Sequence, residues 1–309
     1  MRIVVMGSGG TGGYFGAKLG RAGEDVTFVA RGAHLDAIRD RGLTVKSAID
    51  GEWSVRAPAV DRLEGQPPAD LVLFCVKSFD TESAADAIRP VLGPGTGVLS
   101  IQNGVDNEDK LAAALGADRV LGGMAQVFAT IAAPGVIAHT LFGRIVFGEM
   151  DGAPSERASA FLAACERAGI PAEVSRDVRR TLWDKYAYLV AHSGMTALTR
   201  SPAGVIRRLP ETRRLYRQLL EEMAALAAAV GVSLGREPVD RYMGLLDAVG
   251  PGAYSSLHFD LVNGKRLELE ALQGHAVRLG ERLGVATPGL FAVYAALRPA
   301  LDGPPAAGG

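Results

Sequence analysis

Six residues near the start, Gly7-Ser8-Gly9-Gly10-Thr11-Gly12, have the spacing of a loop that holds a dinucleotide pyrophosphate. They follow an apolar run at 2–6 and open a helical stretch reaching to about residue 22. Gly7 makes the tight turn, Gly9 lets the backbone approach the phosphates, and Gly12 lets the helix lie close on the strand. The helix N-terminus adds amide donors and a partial positive charge. Gly16, Ala17 and Gly20 continue a small-residue face suited to close packing on a sheet. The next apolar run ends in Val29-Ala30-Arg31-Gly32. A carboxylate there would read the ribose hydroxyls of NAD, whereas an arginine suits the 2′-phosphate of NADP, so NADPH is the expected cofactor. A solvated arginine at a strand end is the plain alternative.

Four other positions could do chemistry. Lys77 ends the third apolar run, and Asn103 follows the fourth. Ligands of open α/β sheets bind beyond the carboxyl ends of the strands, so both are placed toward a cofactor. A surface lysine and an Asn-Gly turn remain open for them. Lys185 lies early on a long helical stretch, with Leu189 and Ser193 four and eight residues on and His192 almost in line. A lysine ammonium partly removed from water becomes a better proton donor. Glu268 reads by itself as a helical carboxylate, with Glu270 turned to solvent. Ser256 and Asp260 could cap a helix as easily as touch a substrate.

The elements that must carry these residues fall into two groups. Up to about residue 175, short β-rich runs at 2–6, 25–30, 71–76 and 97–101 alternate with helical stretches, the pattern of a parallel sheet covered by helices. Hairpins are expected at Asp50-Gly51 and within 135–148, where VIAHT and RIVFGE flank a turn containing Phe142 and Gly143. A helix at 155–168 and a last strand in IPAEV follow. From about residue 176, strand signals nearly vanish and amphipathic helices follow, broken at Pro202, Pro210, Pro238, Pro251 and Pro288. The expected domains are 1–175 and 176–298, with a loose tail at 299–309.

The chain has 309 residues, 48% hydrophobic and 22% charged, enough for two cores. A net charge of -1 without a Lys/Arg run argues against nucleic acid. MRIVVMG is too short for a signal peptide or a membrane span. Cys75 and Cys165 suit a reducing compartment, and the cytoplasm is expected. The five histidines lack metal-ligand spacing, so no metal is expected.

Taken in order, GSGGTG, Arg31, CVKSFD, IQNGV, WDKY with GMTALT, and SSLHFDLVNGKRLELEALQG resemble the ketopantoate reductase (2-dehydropantoate 2-reductase) family over about residues 1–297. The resemblance implies a Rossmann-type doubly wound α/β domain, then a helical domain like that of 6-phosphogluconate dehydrogenase, with the active site between them. It implies that Lys185 protonates the ketone oxygen as NADPH delivers hydride, and that Glu268 holds the substrate and orients proton transfer. It further implies Arg31 and Lys77 as cofactor-phosphate contacts, Asn103 beside cofactor and substrate, and Ser256 on the substrate. The family places asparagines four and eight residues after the lysine and another further on. Here Leu189, Ser193 and Ala203 stand there, leaving Ser193 and His192 as candidate polar contacts.

The expected reaction is therefore NADPH-dependent reduction of 2-dehydropantoate to (R)-pantoate, a step toward coenzyme A. Reduction of a less polar 2-oxo acid and a non-catalytic NADP-binding regulator are the alternatives. The expected partner is a small 2-oxo acid, with a homodimer left open.

Overall fold

The computed structural model describes residues 1–304. The chain divides into two compact units, Met1–Leu182 and Trp183–Gly309.

In the first unit, β1 (Arg2–Met6), α1 (Gly10–Arg21), β2 (Asp25–Val29) and α2 (Gly32–Arg41) lead into a hairpin of β3 (Leu43–Ser47) and β4 (Gly51–Val55). The two-residue β5 (Ala59–Val60), β6 (Ala69–Phe74), α3 (Thr81–Ala87), β7 (Leu92–Ser100) and α4 (Asn107–Leu115) follow. β8 (Val120–Ala133), β9 (Val136–Glu149), α5 (Glu156–Arg167) and β10 (Ala172–Val174) come last. Strands β5, β2, β1, β6, β7 and β8 lie in that order and pair in parallel. The chain winds one way from β1 through β2 to β5, then the other way from β6 to β8, as in a Rossmann sheet. The reversal between β1 and β6 opens a crevice at their carboxyl ends. Ile3, Val5, Leu71, Leu73, Val98 and Leu99 are wholly buried, as expected of strands covered on both faces.

The sheet continues past β8 through antiparallel β9 to β3 and β4. Helix α1 therefore has strands on two sides. A Cβ at Gly16 would press on Phe28 and Val5, whereas one at Gly13 or Gly20 would meet Ile137 or Val55. The small-residue face serves both contacts.

The expected hairpin within 135–148 is corrected. Residues 136–149 form one strand, and the turn lies before it, at Pro134-Gly135, where Gly135 has φ +75°. Phe142 (φ 65°) and Gly143 (φ 136°) form a bulge rather than a turn. A bulge and a turn draw on the same positive-φ residues, which is why the sequence pattern misled. His139 Nε2 donates to the Phe142 carbonyl at 2.8 Å and holds the bulge.

The second unit contains only helices and short 3-10 turns among the described residues. Helix α6 (Val178–Thr199) enters it, followed by α7 (Ala203–Arg208), α8 (Pro210–Ala229), α9 (Pro238–Ala248), α10 (Ser256–Val262), α11 (Gln273–Leu283) and α12 (Pro288–Leu297). Pro210, Pro238 and Pro288 occupy first helical positions, where a missing N–H costs nothing. No helix is long and apolar enough to cross a membrane among the described residues.

Part of the segment expected to be a loose tail, 299–309, is structured. A 3-10 turn spans Arg298–Ala300, Leu301 is buried, and its carbonyl accepts from the Leu267 amide at 2.8 Å. Residues 305–309 lie outside those described.

Candidate active site

The glycine-rich loop leaves β1 where the crevice opens. Gly7 adopts φ +98°, and a Cβ on it would strike the Val76 amide nitrogen. A Cβ on Gly12 would strike the Gly7 carbonyl, and one on Gly10 the carbonyl of Ala129 in β8. Gly9 differs, because a Cβ there would meet nothing within 4 Å. The protein's own packing makes no demand for glycine at Gly9, so the open space suits an approaching ligand. The first helical bond of α1 runs from the Gly13 amide to the Gly9 carbonyl at 2.7 Å. The amides of Gly10, Thr11 and Gly12 precede that ladder, as a phosphate cradle requires. These features fit a dinucleotide.

Ser8 fastens the loop rather than lining it. Its Oγ donates to the Val29 carbonyl at 2.9 Å, and its own carbonyl accepts from His34 Nε2 at 2.9 Å. His34 Nδ1 accepts from the Gly135 amide at 3.0 Å, which fixes the tautomer. Burial pushes the His34 imidazole below its ordinary range. Arg31 is exposed at the N-cap of α2, two residues past the end of β2.

The loops after β6 and β7 carry Lys77 and Asn103, both half-buried. Three side chains that the sequence reading did not single out cross-link them. Gln102 Nε2 donates to the Val76 carbonyl at 3.0 Å and to Thr81 Oγ1 at 2.9 Å. Thr81 Oγ1 lies 3.0 Å from the Ser78 carbonyl and 3.2 Å from Asn107 Oδ1. Asn107 Nδ2 donates to the Asn103 carbonyl at 2.9 Å. Lys77 thus sits between two anchored carbonyls, and Asn103 is held by its own. In the sequence these three read as ordinary loop and helix-start polar residues.

In the helical unit, α6 presents Lys185 half-buried, with Leu189 half-buried one turn on. The Tyr186 hydroxyl donates to the Leu272 carbonyl at 2.7 Å, and Gln273 Nε2 donates to the Val190 carbonyl at 2.8 Å and to Ser193 Oγ at 2.9 Å. These bonds staple α6 to the segment that starts at Glu268, which is only 5% exposed and begins a 3-10 turn rather than a regular helix. Glu270 is tied to Arg278, Arg298 and Tyr294, which lower its pKa against the opposing effect of burial. Ser193 is wholly buried, its hydroxyl engaged by Gln273. His192 stacks on Tyr188, with ring centroids 5.3 Å apart, and burial pushes its pKa down to about 4. Ser256 is the exposed first residue of α10. The capping role weighed for it belongs to Ser255, whose Oγ accepts from the His258 amide at 3.1 Å.

Known proteins match the chain along nearly its whole length. The family model "Ketopantoate reductase PanE/ApbA" matches residues 3–152, and "Ketopantoate reductase PanE/ApbA C terminal" matches residues 177–300. A 2-dehydropantoate 2-reductase of Mesorhizobium japonicum is 34% identical, over 96% of this chain and 97% of that protein. The crystal structure of a 2-dehydropantoate 2-reductase from Geobacter metallireducens GS-15 has TM-score 0.90 at 32% identity, covering 97% of this chain and 100% of that one. D-mandelate dehydrogenase, solved with NADH and anilino(oxo)acetate, shares the fold, with TM-score 0.89 at 21% identity over 97% of this chain and 98% of that one.

Proposed function

The chain belongs to the ketopantoate reductase family and is an oxidoreductase of that family; from this premise we propose that it reduces 2-dehydropantoate to (R)-pantoate with NADPH. The observation that carries the reading is the pairing of two devices in one chain. The first unit has a glycine cradle whose Gly9 faces open space, with Arg31 and no carboxylate at the end of β2. The second has Lys185 and Glu268 on two segments stapled by Tyr186 and Gln273.

With the dinucleotide held at the cradle, its nicotinamide would supply a hydride to the ketone carbon. The amides of Gly10, Thr11 and Gly12 would hold the pyrophosphate, and Arg31 and Lys77 would hold the remaining phosphate charge. Lys185 gives its Nζ proton to the ketone oxygen as negative charge develops there, and stabilises that charge before the transfer. Glu268 would hold the keto acid and orient the proton transfer, Ser256 would add a substrate contact, and Asn103 would stand at the cofactor end of the sheet. A regulator that only sensed NADP would need neither Lys185 nor Glu268.

The test is NADPH oxidation on adding 2-dehydropantoate and a panel of other 2-oxo acids. Oxidation with 2-dehydropantoate supports the proposal. Absence of oxidation with every acid, despite NADPH binding, would leave the regulator. A second reading, a less polar 2-oxo acid, is favoured by Leu189 beside Lys185 and by the engagement of Ser193 with Gln273.

A further inference from the structure

His34 has no part in the chemistry assigned so far. It is half-buried in the first turn of α2, three residues past Arg31, and its ring joins two segments far apart in sequence. Nδ1 lies 3.0 Å from the Gly135 amide, and Nε2 lies 2.9 Å from the Ser8 carbonyl. A backbone amide only donates, so Nδ1 accepts and the ring proton sits on Nε2, aimed at Ser8. Burial, which lowers the ring's pKa, favours this neutral form. The Gly135 end of the link is fixed without His34. The Gly135 carbonyl accepts from the Thr44 amide at 2.9 Å, and the Pro134 carbonyl accepts from Arg41 Nη2 at 2.8 Å. A Cβ added to Gly135 would lie 2.9 Å from Ala37 Cβ, so α2 packs closely on the same turn.

At the other end, the Ser8 amide and hydroxyl both donate to the Val29 carbonyl, at 3.1 and 2.9 Å. Those two bonds place the residue, and His34 sets the direction of its carbonyl. The Ser8–Gly9 peptide is trans, so its N–H points opposite to its C=O. A carbonyl drawn toward α2 therefore turns the Gly9 N–H away from α2. Gly9 is also the loop glycine around which an added Cβ would meet nothing within 4 Å. We propose that His34 is a positioning residue for the dinucleotide: by holding the Ser8 carbonyl it aims the Gly9 N–H at the pyrophosphate, beside the amides of Gly10, Thr11 and Gly12. This inference rests on the dinucleotide reading of the loop and extends it to the β8–β9 turn, which becomes part of the cradle's scaffold. Successive amides bind an anion well only when their N–H groups already converge on it. Without the ring, the Ser8–Gly9 peptide gains freedom that binding must then remove. The loss falls on the phosphates that NADPH and NADH share, not on the 2′-phosphate assigned to Arg31.

The experiment compares wild type with His34→Ala, His34→Gln and His34→Asn in the full chain. Glutamine can bring an amide N–H to the place of Nε2 and keep the bond to Ser8. Asparagine, one methylene shorter, brings its amide oxygen to the place of Nδ1 and keeps the bond to Gly135. Dissociation constants for NADPH and for NADH are read from reduced-nicotinamide fluorescence. Amide hydrogen exchange over segment 7–13 is read in the protein without cofactor. His34→Ala should weaken both cofactors by the same factor, roughly threefold to tenfold, the worth of about one hydrogen bond, and should speed exchange over 7–13. His34→Gln should restore both readouts. His34→Asn should restore neither, even where it restores thermal stability.

A tie that only fastens α2 to the β8–β9 turn would behave the other way round. Recovery of affinity by asparagine as good as that by glutamine would therefore overturn the proposal, and this contrast holds even if the alanine variant folds poorly. A loss confined to NADPH would overturn it as well, since the effect would then lie at Arg31. Unchanged exchange over 7–13 in His34→Ala would remove the ring's hold on the loop. Failure of wild type to bind either cofactor, with the exchange pattern intact, would overturn the dinucleotide reading and leave His34 as the anchor of the loop.

Discussion

Arg31, Lys185 and Glu108 each support a single-substitution test. If Arg31 holds the 2′-phosphate, Arg31→Ala should weaken NADPH by about one to two orders of magnitude, the worth of a charged hydrogen bond, and leave NADH nearly unchanged. Equal losses for both cofactors in binding titrations would remove Arg31 from that role. Lys185→Ala should lower turnover roughly a hundredfold to ten-thousandfold, as removal of a general acid does. Near-normal turnover at saturating substrate would exclude Lys185 as the proton donor. Glu108, the second residue of α4, is 3% exposed and links stability to pH. Burial raises its folded-state pKa to about 7, above the ordinary 4.5, so the folded chain binds this proton more tightly than the unfolded one. Its contribution is therefore present at low pH and lost as pH rises from about 4.5 to 7. Glu108→Gln should thus raise Tm at pH 8, by the equivalent of up to about 3 kcal/mol, with little change below pH 5. Identical Tm-against-pH curves would show an ordinary carboxyl. Arg31 and Lys185 stand out as candidates in the sequence because short local patterns mark them. Glu108 does not, since Asp106-Asn107-Glu108-Asp109 reads as a solvated helix start and its burial depends on β8.

Strands β8 and β9 show the same limit one level up. Strands β1, β2, β6 and β7 were visible as apolar runs, and three helix starts of the second unit as prolines. The 14-residue strand β8 escaped notice because its Gly-Gly and Ala-rich stretches lack a clear alternation, although they pair along β9. The bulge in β9 imitated a turn for the reason given above. The glycine loop offers a separation of two effects that sequence spacing alone does not. Gly10→Ala must displace either α1 or the Ala129 backbone, and should destabilise the protein by about 1–3 kcal/mol or more, as overpacking does. Gly9→Ala meets no protein atom and keeps φ near -72°, so thermal stability should hold while NADPH affinity falls. A Gly9→Ala variant with unchanged affinity would place the pyrophosphate elsewhere.

Substrate choice is a property of the assembled enzyme. If the keto acid lies against Lys185, Leu189 beside it and Ser193 bound to Gln273 leave few further donors, and His192 is packed against Tyr188 and Tyr216. A site that hydrogen-bonds a hydroxyl rejects the analogue lacking it by large factors, whereas an apolar wall does not. The ratio of kcat/KM for 2-dehydropantoate over 2-oxo-3,3-dimethylbutanoate should therefore be small. A preference of about a thousandfold or more would show a polar pocket after all. The order of strands in the first unit has a consequence for how the chain is made. Hairpin β3–β4 joins the sheet only through β9, which leaves the ribosome some ninety residues later. At roughly 5–20 residues per second, that hairpin waits several seconds, and one side of α1 stays uncovered meanwhile. A two-stranded hairpin is marginal alone, so the nascent chain offers chaperones an apolar target throughout that interval. Nascent chains halted just before β9 should therefore be captured by holdases more readily than chains halted after β10, where α1 has strands on both sides.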